Sequence, residues 1–175
     1  NGGRWGILQG FDFSDQTTSK PQPNDTTTSP QILRIAKDLL GKAQKGRRPF
    51  FLWVHFYDPH AKYLAHEGQA SFGRSQLDLY DGEILFTDRH VGQLLDIVRA
   101  KSFPPTVVVF GSDHGDGFKE DRGRSNHAYG LYDELLHVPL VVWAPNAAPS
   151  RVDTPVGNVD ITATLLNAAG LNKPY

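Results

Sequence analysis

The sequence predicts an α/β fold in which a parallel sheet is covered by helices. Three apolar runs, Phe50-Phe51-Leu52-Trp53-Val54-His55-Phe56, Thr106-Val107-Val108-Val109-Phe110 and Val138-Pro139-Leu140-Val141-Val142-Trp143, are nearly continuous rather than alternating. Strands buried on both faces look this way. The runs share the chain with segments that carry a helical apolar stripe, in the order helix, strand, helix, strand, strand, helix. Polar, histidine-bearing segments border all three runs, where the side chains of such a sheet leave the apolar wall and meet solvent.

Taken in order, residues 1–14 are glycine-spaced with Trp5, Phe11 and Phe13, and read as an irregular packed entry. Residues 15–29 are almost all Thr, Ser, Pro, Asn, Asp, Gln and Lys, the composition of a surface loop. Ser29 is then expected to cap a helix that Pro30 opens, running to about residue 45 with Ile32, Leu33, Ile35, Ala36, Leu39 and Leu40 as its stripe and Gly46 as its end. A strand over 50–56 leads into a long loop, 57–75, of the length expected of a binding segment. A second helix over about 76–101 places Ile84, Val91 and Val98 at heptad spacing beside Leu94 and Leu95, and Pro104 and Pro105 stop it. Residues 116–126 are polar and read as a mobile loop. The strand over 138–143 ends near Pro145, and Asp160 and Gly170 are expected to cap and close a last helix. No internal repeat interrupts this order.

Composition bounds the rest. With 175 residues, 39% hydrophobic and a mean hydropathy of -0.41, the chain suits a globular piece of roughly one domain with a core of useful size. A formal net charge of -1 gives no electrostatic reason to bind nucleic acid or anionic lipid. No stretch approaches a membrane span. The absence of cysteine excludes disulfides, thiolate ligands and a cysteine nucleophile from these residues. The chain has no methionine, and it is expected to be part of something longer.

Ser112-Asp113-His114-Gly115 follows the second apolar run directly. A carboxylate oxygen and an imidazole nitrogen at one strand end can share a divalent cation, while glycine lets the backbone turn away tightly. Asp and Gly are equally at home in an ordinary strand-end turn. The company matters: Tyr57-Asp58-Pro59-His60 follows the first run, and Asn126-His127-Ala128-Tyr129-Gly130-Leu131-Tyr132-Asp133-Glu134 precedes the third.

Together with Tyr80-Asp81-Gly82-Glu83 through Asp88 and Val91-Gly92, these motifs over residues 48–170 resemble the carboxyl-terminal part of a sulfatase of the alkaline phosphatase superfamily. The resemblance implies an α/β/α sandwich of the alkaline phosphatase type, incomplete here. It implies hydrolysis of sulfate esters with one divalent metal ion and a formylglycine nucleophile, on a sulfated or phosphorylated small molecule or glycan. Asp113 and His114 would be metal ligands, and His60 and His127 would be catalytic and substrate-binding, facing the ester oxygen and the sulfuryl group. A periplasmic or extracellular location would follow.

The departures from the family pattern set further expectations. The aspartate pair and the Cys-x-Pro-x-Arg or Ser-x-Pro-x-Arg segment that the family carries upstream are not in this sequence. Ala147-Ala148-Pro149-Ser150-Arg151 only mimics the second pattern, with alanine at the nucleophile position. The chain is therefore expected to be the later portion of the enzyme, to need the amino-terminal portion and to be inactive alone. His114 stands where many sulfatases that hold calcium have asparagine, and its nitrogen favours manganese or zinc, with calcium possible. Relatives acting on phosphate share such a histidine. A phosphodiester or phosphonate monoester hydrolase, or a phosphoryl-headgroup transferase, is thus the second reading, and a non-catalytic binding module the third. His55 is expected in the core, His66 and His90 facing solvent, and His137 without a role; Asp88 is expected to be structural. Tyr132, Asp133 and Glu134 are expected to brace a helix start, and the mixed charges at 116–124 read first as a solvated loop, with selection of an anionic substrate by a cationic Lys119 or Arg122 the alternative.

Overall fold

The computed structural model describes residues 6, 8–16, 27–46, 48–60, 62–118, 127 and 130–171. The chain divides into two compact units, Asn1–Pro104 and Pro105–Tyr175. The first is built on two helices, α1 (Ser29–Gly46) and α2 (Gln76–Arg99), which pack on one another. The expected stripe of α1 is the core: Ile32, Leu33, Ala36 and Leu40 are buried together with Tyr63 and Phe103. Burying side chains of this size stabilises by about 1.5–3 kcal/mol each for Leu and Ile.

The start of α1 departs from expectation. Thr28, not Ser29, accepts the first helical bonds, through its carbonyl from the Gln31 and Ile32 amides. The capping oxygens come from thirty residues away. The carboxylate of Asp58, 7% exposed, accepts the Thr28 amide at 2.6 Å, the Thr28 hydroxyl at 2.5 Å and the Ser29 amide at 2.8 Å. The buried Ser29 hydroxyl finds no partner among the described residues. A capping search confined to neighbouring residues misses such an arrangement, although a carboxylate at a helix N-terminus is where the orphan amides and the helix dipole favour it.

Helix α2 opens on a capping box: Ser75 accepts the Asp78 amide, and Asp78 accepts the Ser75 amide. The Ser75 amide, with help from the Ser75 hydroxyl, holds the Asp78 carboxyl below its ordinary value. The heptad expectation for α2 needs correction, because Ile84 is 43% exposed. The buried residue is its neighbour Glu83, 1% exposed, whose carboxylate accepts the Leu64 amide at 2.8 Å and meets His66 Nε2 at 2.7 Å. Those two partners lie on loop 57–75 and turn the polar residue of α2 inward.

Two histidine expectations fall with it. The His66 side chain is buried, stacked on Phe86 with ring centroids 3.7 Å apart, rather than facing solvent. His90 is partly buried and bonds the Phe86 carbonyl through Nδ1 at 2.7 Å, the local route by which a helical histidine satisfies its ring. His55, expected in the core, is exposed. Along residues 50–57, positions 51, 53, 55 and 57 are exposed and 52, 54 and 56 half-buried. This is the period of a strand, but the segment joins no ladder among the described residues.

The second unit contains β1 (Val108–Gly111), the one-turn helix α3 (Asp133–Leu136), β2 (Leu140–Trp143) and α4 (Asp160–Ala168). The expected parallel arrangement is not what pairs these strands. β1 and β2 run antiparallel, Val108 opposite Trp143 and Gly111 opposite Leu140, and Val141 and Val142 remain half exposed. A continuous apolar run is read as a strand covered on both faces, but it does not fix strand direction. The end of α4 follows expectation: Gly170 adopts φ +71, with the Leu171 amide bonded to the Leu166 carbonyl and the Gly170 amide to that of Asn167. This is a Schellman closure. Asp160 reaches back to the Gly157 amide at 2.8 Å. Among the described residues no helix is long and apolar enough to cross a membrane.

Burial pushes the Glu83 carboxyl above its ordinary value of 4.5, against the opposing pull of its His66 and Leu64 partners. The folded state therefore favours the protonated acid, and the linked stability is fully present below about 4.5 and declines as pH rises through the folded value. Glu83→Gln keeps an acceptor for Leu64 and a donor for His66 without the charge. In chemical denaturation of the intact protein, the stability of wild type relative to Glu83→Gln should fall as pH rises; a margin that grew with pH would show that pairing with His66 outweighs burial. Glu83→Ala should cost on the order of 3 kcal/mol by stranding two buried partners.

Candidate functional site

In the second unit, β1 ends at Gly111 and the chain turns at once through Ser112, Asp113, His114 and Gly115. The Ser112 hydroxyl donates to the His114 carbonyl at 2.7 Å, and the His114 amide donates to Asp113 Oδ1 at 3.1 Å. One carboxylate oxygen of Asp113 is thereby tied to backbone. The other, Oδ2, lies 3.8 Å from His114 Nε2.

The tautomer of His114 follows from its other nitrogen. Nδ1 lies 2.7 Å from the Gly115 carbonyl, which can only accept. Nδ1 therefore carries the proton and Nε2 presents its lone pair on the side of Asp113. A histidine whose second nitrogen donates to a carbonyl is the usual arrangement behind a metal ligand. Bonds of about 2.0–2.2 Å let one ion reach both Asp113 Oδ2 and His114 Nε2 across that gap. The two residues fit a divalent cation as a pair, although among the described residues no group of three or more such side chains is placed around one point.

His127 lies against this turn. Its ring stacks on that of His114 with centroids 4.0 Å apart and 30° between planes, and its Nδ1 is 3.8 Å from Asp116 Oδ1. Asp116, read from the sequence as the start of a mobile loop, has a buried side chain that also accepts the Gly117 amide at 3.0 Å. The sequence reading passed over it because a carboxylate beside Gly and Lys has the composition of a solvated turn. The structure thus brings Asp113, His114 and His127 together.

The turn is fixed from below by α3. The Gly115 amide donates to the Leu135 carbonyl at 2.8 Å, and Leu135 is buried. A Cβ on residue 115 would run into the Glu134 carbonyl oxygen. Tyr132, Asp133 and Glu134 brace a helix start as expected, with Tyr132 at the N-cap and its carbonyl accepting the Leu135 and Leu136 amides. Their further effect is to seat the Asp113-His114-Gly115 turn on that helix. Asn158 supplies another tie, from Nδ2 to the Ser112 carbonyl at 3.0 Å.

His60 belongs to the first unit. Its amide bonds the Tyr57 carbonyl at 3.1 Å, closing a turn over Asp58 and Pro59, and its ring stacks on Tyr57 with centroids 4.6 Å apart and 16° between planes. Asp88 is exposed on α2, and His137 is exposed beyond α3. Lys119 and Arg122 lie outside the described residues. Arg151, of the segment that mimics a nucleophile motif, is 90% exposed and pairs with Asp153 at 2.8 Å, consistent with a surface loop.

A family model described as Sulfatase matches residues 7–171. The chain is 35% identical over 94 residues to the choline-sulfatase of Rhizobium meliloti, covering 53% of this chain and 18% of that protein. It is 28% identical over 152 residues to the N-acetylgalactosamine-6-sulfatase of Canis lupus familiaris, covering 81% of this chain and 29% of the relative. An uncharacterized sulfatase of Escherichia coli, YidJ, is 29% identical over 89 residues, 51% of this chain and 18% of its own length. The chain spans under a third of the length of these curated relatives. No solved structure matches it.

The closeness of Gly115 to α3 makes a sharp expectation. Gly115→Ala forces the Asp113-His114 turn away from the Glu134 carbonyl, and should lower stability by about 1–3 kcal/mol as overpacking does. Thermal unfolding of the intact protein measures it. A variant as stable as wild type would mean that the turn is not seated on α3.

Proposed function

The chain belongs to the sulfatase family, and on that footing we propose that the intact protein hydrolyses sulfate esters with one divalent metal ion, held in part by Asp113 and His114. The observation that carries the reading is the family match across residues 7–171, which takes in the whole turn and its α3 support. The fitting lone pair of His114 beside Asp113 adds to it. A cation held there would supply positive charge that polarises the sulfuryl group of the ester, while the charge that develops on the departing oxygen as the S–O bond breaks calls for a proton donor. The nucleophile of the family is a formylglycine, and no residue of this chain is assigned to it.

The chain's own residues have separable tasks. The carboxylate of Asp113 and Nε2 of His114 hold the ion, and a nitrogen ligand favours manganese or zinc over calcium, which the oxygen of Asp113 still admits. His60 and His127 face the ester oxygen and the sulfuryl group. A protonated imidazole at either position can donate to the departing oxygen. Stacking on His114 and the nearby Asp116 carboxylate set the plane of His127; the Tyr57 stack sets that of His60. The substrate is a sulfated small molecule or glycan, met in a periplasmic or extracellular setting.

The purified intact protein should release sulfate from an aryl sulfate faster than phosphate from the matching aryl phosphate. The reverse preference would favour a phosphodiester or phosphonate hydrolase, which the imidazole at position 114 also suits, and turnover of neither ester with metal supplied would leave a binding module. Within an active protein, His127→Ala should hurt esters of poor leaving groups most, by on the order of 10²-fold or more, and activated aryl esters least. A uniform loss across leaving groups of graded pKa would remove His127 as the proton donor.

A further inference from the structure

We infer that Asp58 is a positioning residue for His60: its buried carboxylate ties the Tyr57–His60 turn to the first turn of α1, so that the helix fixes where the imidazole sits. The inference rests on the reading in which His60 faces the ester, and adds a residue to which that reading gives no task.

The geometry is specific. A single carboxylate receives three donors, the amides of Thr28 and Ser29 and the hydroxyl of Thr28, with Oδ1 taking two and Oδ2 one. Removing such a group from water is costly unless donors replace the lost hydration, and here the orphan amides of a helix supply them. Asp58 therefore has one place to be. Pro59 restricts the backbone on its carboxyl side, the His60 amide closes back on the Tyr57 carbonyl, and the Tyr57 ring covers the imidazole. With Asp58 fixed, little freedom is left two residues later.

Helix α1 is a firm reference, because its stripe of Ile32, Leu33, Ala36 and Leu40 is the core of the unit. On the far side of the same loop, Glu83 bonds Leu64 and His66. The segment that carries His60 is thus pinned to α1 by one buried carboxylate and to α2 by another. Glu83 grips beyond Tyr63, so its loss loosens the later part of the loop, whereas the loss of Asp58 frees the turn at His60 itself.

The test measures kcat and KM of the intact protein on one aryl sulfate with a poor leaving group, well below the unfolding temperature, for Asp58→Asn, Asp58→Ala, Thr28→Val, Thr28→Ser and His60→Ala. A misplacement of about 1 Å can cost on the order of 10²-fold. Asp58→Asn and Asp58→Ala should lower kcat by about 10- to 100-fold with KM little changed. Thr28→Val should cost less, and Thr28→Ser should restore wild-type kcat. Adding Asp58→Asn to His60→Ala should cost nothing further, since the two residues act as one unit. Full activity in the Asp58 variants, with only the unfolding temperature lowered and His60→Ala inactive, would make Asp58 a plain helix cap and overturn the inference while leaving the role of His60 intact. Full activity in His60→Ala would overturn both. Should Asp58→Ala fail to fold, Thr28→Val and Asp58→Asn decide the matter by the same readouts.

Discussion

A carboxylate taken out of water must be met by donors, and two such groups organise the first unit of this chain. Asp58 is met by the N-terminus of α1 and Glu83 by the Leu64 amide and the His66 ring. Losing one side of a buried polar contact costs more than the contact contributes net, so each carboxylate fixes its partners strongly. The consequence is a long connection tied to the helices at two points. Loop 57–75 contains the buried residues Asp58 and Tyr63, and it carries His60 between two anchors.

The second unit reaches the same end by steric means. Gly115 approaches the α3 backbone so closely that no side chain fits there, and its amide takes the Leu135 carbonyl. The turn that follows β1 is therefore pressed on a helix whose one buried residue, Leu135, lies directly beneath. The Gly115 carbonyl then sets the tautomer of His114, and Asp113 divides its oxygens between the His114 amide and the side of the His114 ring. Both units thus use backbone contacts of a candidate turn to prearrange its side chains, the arrangement that a site needs when reorganisation during reaction is costly.

Much of this was legible in the residues. The stripe of α1, the closure of α4 by Gly170 and the grouping of Asp113 with His114 follow from periodicity, glycine chemistry and position after an apolar run. Strand direction was not, since Val108 and Val109 carry the same pattern whether their neighbour runs parallel or antiparallel. His66 was misjudged for a related reason: a histidine taken by itself is read as solvent-facing, and only its meeting with Glu83 allows both side chains to be buried. Asp58 was visible within the motif before His60, but its partners stand at 28 and 29, too far along the chain for any local rule.

The measurement that bears most directly on this account is metal binding by the intact, metal-stripped protein, titrated calorimetrically with manganese and with calcium, in wild type and His114→Asn. If His114 Nε2 is a ligand beside Asp113, wild type binds manganese more tightly than calcium, and replacing the nitrogen by an amide oxygen weakens manganese by on the order of 10-fold or more while calcium is held as well or better. Equal affinities in the two proteins for both ions would place the cation elsewhere and contradict the role given to the Asp113-His114 turn.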